Sequence, residues 1–445
     1  MRRRWALLIQ ILIVGYSSLG RVFAYIGLFP INLFIGEMTL GWFAITRQDA
    51  VSFFFVGAKR NRAVELLRYS ILIFVGYGVV SILLGHFNQQ PISVAAQNFA
   101  FNYYVTYLIV GTWVALKNPP FMHQLALGLA WFHGVYGTLW VIILNRIDWF
   151  IPGTMNVQIF GQPSAAAVSI LMLLSYERRF ERVVIPCLLN LFVMMGVQVR
   201  AEWVGFMLGF VVWSTLSKKL SHFVSFVLVA VVLISLGLFF NVRLPGTAGR
   251  GGEVSVQGVV GRFLAPFDPD LASKYVEGAS GLGGTAKWRE DWWHNIWQSV
   301  NKTDERTFLL GHGYGYPIAG LTQNVQEDVR SPHCVFYFAL CYGGWCGVTA
   351  FGFLQLSIGY GLYRGYKLTG QAFGFSYWVT YLSMSFLGNS LETPFGAIPF
   401  YLICGIGLRP MFEDKITRAR TKFLEQLEQR GLLQKALAAE PSLAG

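Results

Sequence analysis

Apolar blocks of about 17–25 residues, the length that spans a bilayer as helix, follow one another along most of the chain. Nothing else in the sequence restricts the fold so severely. Backbone placed in hydrocarbon must satisfy its own hydrogen bonds, so such blocks fold as helices. Of the 445 residues, 54% are hydrophobic and only 13% charged, too few charges to cover a soluble protein of this size. The predicted spans are 5–28, 30–46, 66–86, 99–116, 122–144, 163–177, 183–199, 201–217, 222–242, 334–362, 373–390 and 393–410. The expected fold is an all-α polytopic membrane protein of about twelve transmembrane helices. Spans one to nine occupy 1–242, a large loop 243–333, the last three spans 334–410 and a tail 411–445.

Lys and Arg set the orientation. Arg2–Arg4, Lys59-Arg60-Asn61-Arg62, Lys117, Glu177–Arg182, Lys218-Lys219, Arg364, Lys367 and the basic tail all fall on one side. The loops Asn88–Gln97 and Gly388–Thr393 on the other side carry almost no positive charge. The basic side is expected to be cytoplasmic, both termini included. Met1–Arg4 and the apolar run after it read as a retained first span, not a cleaved signal. The formal net charge of +12 then faces anionic lipid. The 243–333 loop is near neutral, with nine Lys/Arg against ten Asp/Glu, and this distribution excludes a nucleic-acid-binding protein. That loop is too long for a plain connector and is expected to fold as a periplasmic cap. It holds turn-rich pieces at Gly246–Gly252 and Gly278–Gly284 and an aromatic helical piece, Trp288–Val300. The tail Met411–Ala439, with Phe412, Ile416, Phe423, Leu424 and Leu427, reads as an amphipathic helix on the inner leaflet or as a solvated tail. The five cysteines lack metal-type spacing and read as packing residues.

Three stretches carry candidate chemistry. In S-P-H-C, Ser331 can cap a helix whose first residue is Pro332, which places His333 in the first turn at the membrane boundary. A helix N-terminus disfavours imidazolium, so His333 is expected to be neutral and able to accept a proton. The plainer reading is a boundary histidine bonded to its own loop. Val183–Leu216 is too long for one span and must turn near Val199–Trp203, which puts Arg200 and Glu202 at the external face. Arg200 there serves a ligand, snorkels, or pairs with Glu202. In Thr285–Trp297, Arg289, Trp292, Trp293 and Ile296 share one helical face, with Trp288 nearby in sequence. A cation beside tryptophans suits a phosphate next to sugar or lipid; tryptophans resting on the membrane interface explain the same pattern. Gly311–Gly315 lacks the Lys-Ser/Thr of a nucleotide loop, so its glycines are expected to let backbone pass close to the membrane or a ligand. His312 and Tyr314 in this turn are further candidate substrate contacts.

R-A-E-W-V-G-F at Arg200, K-W-R-E-D-W-W around Arg289, the L-L-G-H-G-Y-G turn and S-P-H at His333 together resemble the O-antigen ligase and polysaccharide polymerase superfamily over about 190–360. The span layout, with its large loop before the tenth span, is also similar. Cys334 departs from the Asn common after the histidine in that family. The resemblance implies a glycosyltransferase of the bacterial inner membrane with a periplasmic active site. Its donor would be a glycan on undecaprenyl pyrophosphate. Its acceptor would be a sugar hydroxyl of the lipid A core for a ligase, or of the next lipid-linked repeat for a polymerase. Arg200 and Arg289 would hold the pyrophosphate and His333 would take the acceptor proton. No cofactor or metal is implied, because two guanidinium groups can stabilise the leaving group, although Asp291, Asp304 and Glu327 leave an ion conceivable. Two other classes compete. A flippase should line the middle of its bundle with charge, where only Glu37 falls. A scaffold of an envelope-assembly complex would suit the cap and tail.

Overall fold

The computed structural model describes residues 2–28, 33–57, 61–146, 164–177, 179–246, 253–264, 268, 271–272, 274, 279–322 and 331–413. α1 (Arg2–Leu19) stops short of the predicted 5–28 because Gly20 takes φ 54° and ψ −121°, a conformation open to glycine. α2 (Arg21–Ala24) and an antiparallel ribbon, β1 (Gly27–Leu28) with β2 (Leu33–Phe34), follow. α3 (Ile35–Thr46) has only 12 residues, so the predicted span 30–46 is about 18 Å of helix against roughly 30 Å of hydrocarbon. Its ribbon start and the break at Arg47 cost it the missing turns. α4 (Gln48–Ser52) runs on into a π-helical turn, Phe53–Gly57. α5 (Arg62–Phe87) is capped by the Asn61 side chain, which accepts from the Val64 N–H at 3.0 Å. α6 (Ile92–Asn98), α7 (Ala100–Tyr103) and α8 (Tyr107–Lys117) form one long stretch, and α9 (Phe121–Ile142) turns back from it.

α10 (Ser164–Tyr176), α11 (Phe180–Val197), α12 (Arg200–Leu216) and α13 (Leu220–Phe239) continue the bundle. The 243–333 segment contains a second ribbon, β3 (Arg243–Pro245) with β4 (Glu253–Ser255), then α14 (Val256–Leu264), α15 (Ala279–Asn301) and α16 (Glu305–Leu310). α15 includes the predicted aromatic helix and takes in most of the Gly278–Gly284 piece, which is helix and not turn. Most of the Gly246–Gly252 piece lies outside the described residues. α17 (Val335–Thr369), α18 (Phe373–Leu387) and α19 (Pro394–Leu408) complete the chain. Among the described residues, four helical stretches are long and apolar enough to cross a membrane: Arg62–Phe87, Ile92–Lys117, Phe121–Ile142 and Val335–Thr369. The architecture is that of an all-α membrane protein with two small ribbons.

The connections gather at two ends. At one, Asn61 Nδ2 donates to Met411 O (3.2 Å), Arg68 Nε to Phe54 O (2.6 Å), Arg409 to Pro119 O (3.2 Å) and Tyr366 Oη to Leu216 O (2.9 Å). Lys117, Arg182, Lys219 and Lys367 lie in or beside these connections. Arg182 pairs there with Glu177 at 3.7 Å, and Phe412 stacks on Phe54. The tail beyond Glu413 lies outside the described residues. At the opposite end, Asn88 Nδ2 donates to His312 O (3.0 Å) and Gln198 Nε2 to Glu253 O (3.2 Å). α5 and its successors therefore run alternately up and down. Small residues let them pack closely: a Cβ on Gly111 would lie 2.1 Å from Leu402 O, and one on Gly405 would lie 2.3 Å from Leu108 O. The five cysteines are free, three of them buried in this packing.

Candidate functional site

α15 lies across the start of α17 and fixes what surrounds His333. Trp292, Ile296 and Val300 are all 0% exposed, so this face packs on protein and not on a membrane interface. Trp292 Nε1 donates to Ile318 O (3.0 Å), and Trp288 packs against the same indole at 5.2 Å. Trp293 Nε1 donates to Pro332 O (2.8 Å) while its ring stacks on Tyr337, which ties α15 to the residue before His333. Trp292 is thus a packing residue, and Trp293 a prop for the turn.

The glycine-rich turn is threaded between helices. Gly344 (φ 56°, ψ −160°) interrupts α17, and the Cys341 and Tyr342 carbonyls accept from the His312 N–H (2.9 Å) and Gly313 N–H (3.1 Å). Tyr77 Oη of α5 donates to Gly343 O at 2.5 Å. A Cβ on Gly311 would lie 2.5 Å from Gly344 N, and one on Gly85 would lie 1.9 Å from Tyr314 O. The close approach expected of these glycines is made to α5 and α17. His312 stacks on Tyr316 (4.1 Å between centroids) and meets Ser299 Oγ at 3.2 Å, and burial holds its pKa below the ordinary value. Tyr314 is buried with its hydroxyl on Asn102 Oδ1. Both side chains are committed to packing.

His333 is not in the helix. α17 begins at Val335 with Cys334 at its N-cap, and His333 sits before it at φ 55°, left-handed backbone that histidine enters more readily than bulky residues. Ser331 does not cap, because its Oγ donates to Glu392 Oε2 and accepts the His333 N–H (3.2 Å). The neutral state expected of His333 has a different cause from a helix dipole. Burial, then the charge of Arg289, then that of Arg21, lowers its pKa to about 4. Arg289 is itself held below its ordinary value by burial and by the neighbouring Arg200 charge. The charge of Arg200 thus acts on Arg289 and that of Arg289 on His333, across 133 positions of sequence from first to last.

The turn predicted near Val199–Trp203 is tighter, formed by Gln198 (φ 58°) and Val199, so that Arg200 opens α12. Arg200 Nη1 donates to Arg262 O of α14 (3.1 Å), and Glu202 is buried in the first turn of α12. Arg289 Nη1 reaches Leu387 O at 3.4 Å, while its buried Nε has no acceptor among the described residues. The ion pairs between described residues involve none of Arg21, Arg200 and Arg289. Convergent guanidinium groups repel one another, and a buried unpaired donor is costly. An anion held among them removes both penalties.

Arg21 and Glu392 were not singled out from sequence. A charge inside a predicted span was the available signal for Arg21. Glu392 was the single carboxylate in a loop noted for its lack of positive charge. Among the described residues no three His, Cys, Asp or Glu side chains converge as metal ligands; Asp304 caps α16 through the Thr307 N–H, and Glu327 lies outside those residues. Glu37 accepts from Tyr103 Oη at 2.9 Å and from Tyr104 Oη. The sequence matches no protein-family model and no curated protein.

Proposed function

We propose that the protein is an inverting glycosyltransferase at the periplasmic face of a bacterial inner membrane, moving a glycan from undecaprenyl pyrophosphate onto a sugar hydroxyl. The observation that carries this reading is the arginine cluster, whose members form no ion pair among the described residues, beside a neutral His333. The acceptor oxygen attacks the anomeric carbon as the bond from that carbon to the pyrophosphate oxygen breaks. His333 takes the hydroxyl proton, since a base must be unprotonated to act. Arg200 and Arg289 take up the negative charge that builds on the departing pyrophosphate, each offering a planar pair of donors. The basic loops lying at the end remote from this cluster support cytoplasmic termini and 243–333 as a periplasmic cap.

The test is transfer by purified protein in detergent from an undecaprenyl-pyrophosphate oligosaccharide, with lipid A core and a second lipid-linked oligosaccharide as alternative acceptors. Product on the lipid A core identifies a ligase, which is the expected outcome; product on the second lipid-linked glycan identifies a polymerase. A flippase needs an intact bilayer and a scaffold gives no product, so absence of both products overturns the proposal.

A further inference from the structure

His333 owes its place to a carboxyl group in a different connection. The loop between α18 and α19 brings Glu392 under the turn 331–334, where Glu392 Oε2 accepts from the Ser331 hydroxyl. The carboxyl group also accepts from the Cys334 N–H, and the Ser331 oxygen in turn accepts from the His333 N–H. Glu392 therefore grips the residues on both sides of a histidine whose own backbone is in the left-handed region. Such a conformation is strained for a residue other than glycine and persists only where neighbours impose it. Trp293 holds the same turn from the other side through Pro332 O.

Glu392 carries no ion pair among the described residues, and its second oxygen, Oε1, is buried without a partner there. Burial pushes the carboxyl up to about 8, so near neutral pH it is mostly protonated.

We propose that Glu392, acting through Ser331 and the Cys334 N–H, is the positioning residue that sets the left-handed turn at His333 and aims its imidazole at the acceptor. This rests on His333 being the base of the proposed transfer, but the clip itself is a statement about conformation and can be read without turnover. Glu392 touches no reacting atom; it acts by holding the turn. A misplacement of about 1 Å at a reacting group lowers rate by roughly 10²-fold, which sets the expected effect.

The experiment compares wild type, Glu392→Ala, Glu392→Gln and Ser331→Ala in detergent, with two readouts. The first is the rate of His333 carbethoxylation by diethyl pyrocarbonate, measured by mass spectrometry against His312 and His86 in the same sample. The second is kcat and KM for transfer. Glu392→Ala and Ser331→Ala should raise His333 modification severalfold relative to the two controls, with kcat down about 10²-fold and KM for donor little changed. Glu392→Gln keeps an accepting oxygen for Ser331 and Cys334 and should restore most of both. Unchanged His333 modification in Glu392→Ala overturns the proposal, and so does altered modification with kcat intact. A glutamine variant as impaired as the alanine one would also sink it. If wild type makes no product, the transferase reading falls while the modification ratios still decide whether the clip exists.

Discussion

His333 is kept unprotonated partly by the charges that would grip its substrate, and this coupling has a measurable sign. Burial and the Arg289 and Arg21 charges disfavour imidazolium, so the acid limb of kcat/KM should fall near pH 4, well below the ordinary histidine value of about 6.5. A bound pyrophosphate neutralises those arginines, so the limb in kcat should lie higher than in kcat/KM. Coincident limbs near pH 6.5 would show an imidazole free of the cluster. The lowered value also makes stability fall as pH drops from about 6.5 towards 4, because the unfolded chain takes up a proton that the folded one refuses. His333→Ala should leave the protein folded and lower transfer by about 10²–10⁴-fold. Arg200→Ala and Arg289→Ala should each cost about 10²–10³, and the double variant less than the product if both grip one leaving group. Arg21 is exposed and more screened, so Arg21→Ala should give a smaller loss, read as weakened donor binding. Donor affinity unaltered in Arg21→Ala would remove it from the site.

At the scale of elements, the break in α17 fastens the 311–315 turn to the bundle. Gly344→Ala would place a Cβ 2.5 Å from Gly311 N on a backbone at φ 56°, with rigid main chain on the other side. Gly370, the C-cap of the same helix, has φ 77° but open space around it. Gly370→Ala should cost only the left-handed penalty of about 1–2 kcal/mol. Gly344→Ala should cost clearly more, because helix and turn must separate, and should lower the melting temperature in detergent further than Gly370→Ala. Equal melting temperatures would mean that the turn is not anchored at this break. Nothing in the hydropathy of Val335–Thr369 signals the interruption. Tandem glycines occur in many uninterrupted apolar helices, and only the carbonyls freed towards His312 and Gly313 reveal what these two are for.

Over the whole molecule, the helical, membrane-type character was legible because hydropathy is a property of local sequence. The ends of the helices were less so. Gly20 cuts the first span and Cys334, not Ser331, begins α17, in each case through a backbone angle that composition does not encode. The charge of Arg289 acts on His333 and that of Arg200 on Arg289, as expected of neighbours, whereas the charge of Arg21 on His333 and the bond from Ser331 to Glu392 span most of the chain and had no local signal. The packing of Trp292 and Tyr314 could not be told from ligand contact, since an aromatic side chain serves either purpose. The proposed orientation makes a direct prediction. Single cysteines at Asn88 and Asn389 should react with a membrane-impermeant maleimide supplied to the periplasmic side of intact inner membrane. Cysteines at Lys117 and Lys219 should react only after permeabilisation, and the reverse pattern would invert the topology.

Arg21 lies near the beginning of the chain and Glu392 near its end, and both bear on the turn at His333. The turn at His333 therefore takes its final form only after the connection between α18 and α19, which carries Glu392, has been synthesised and inserted.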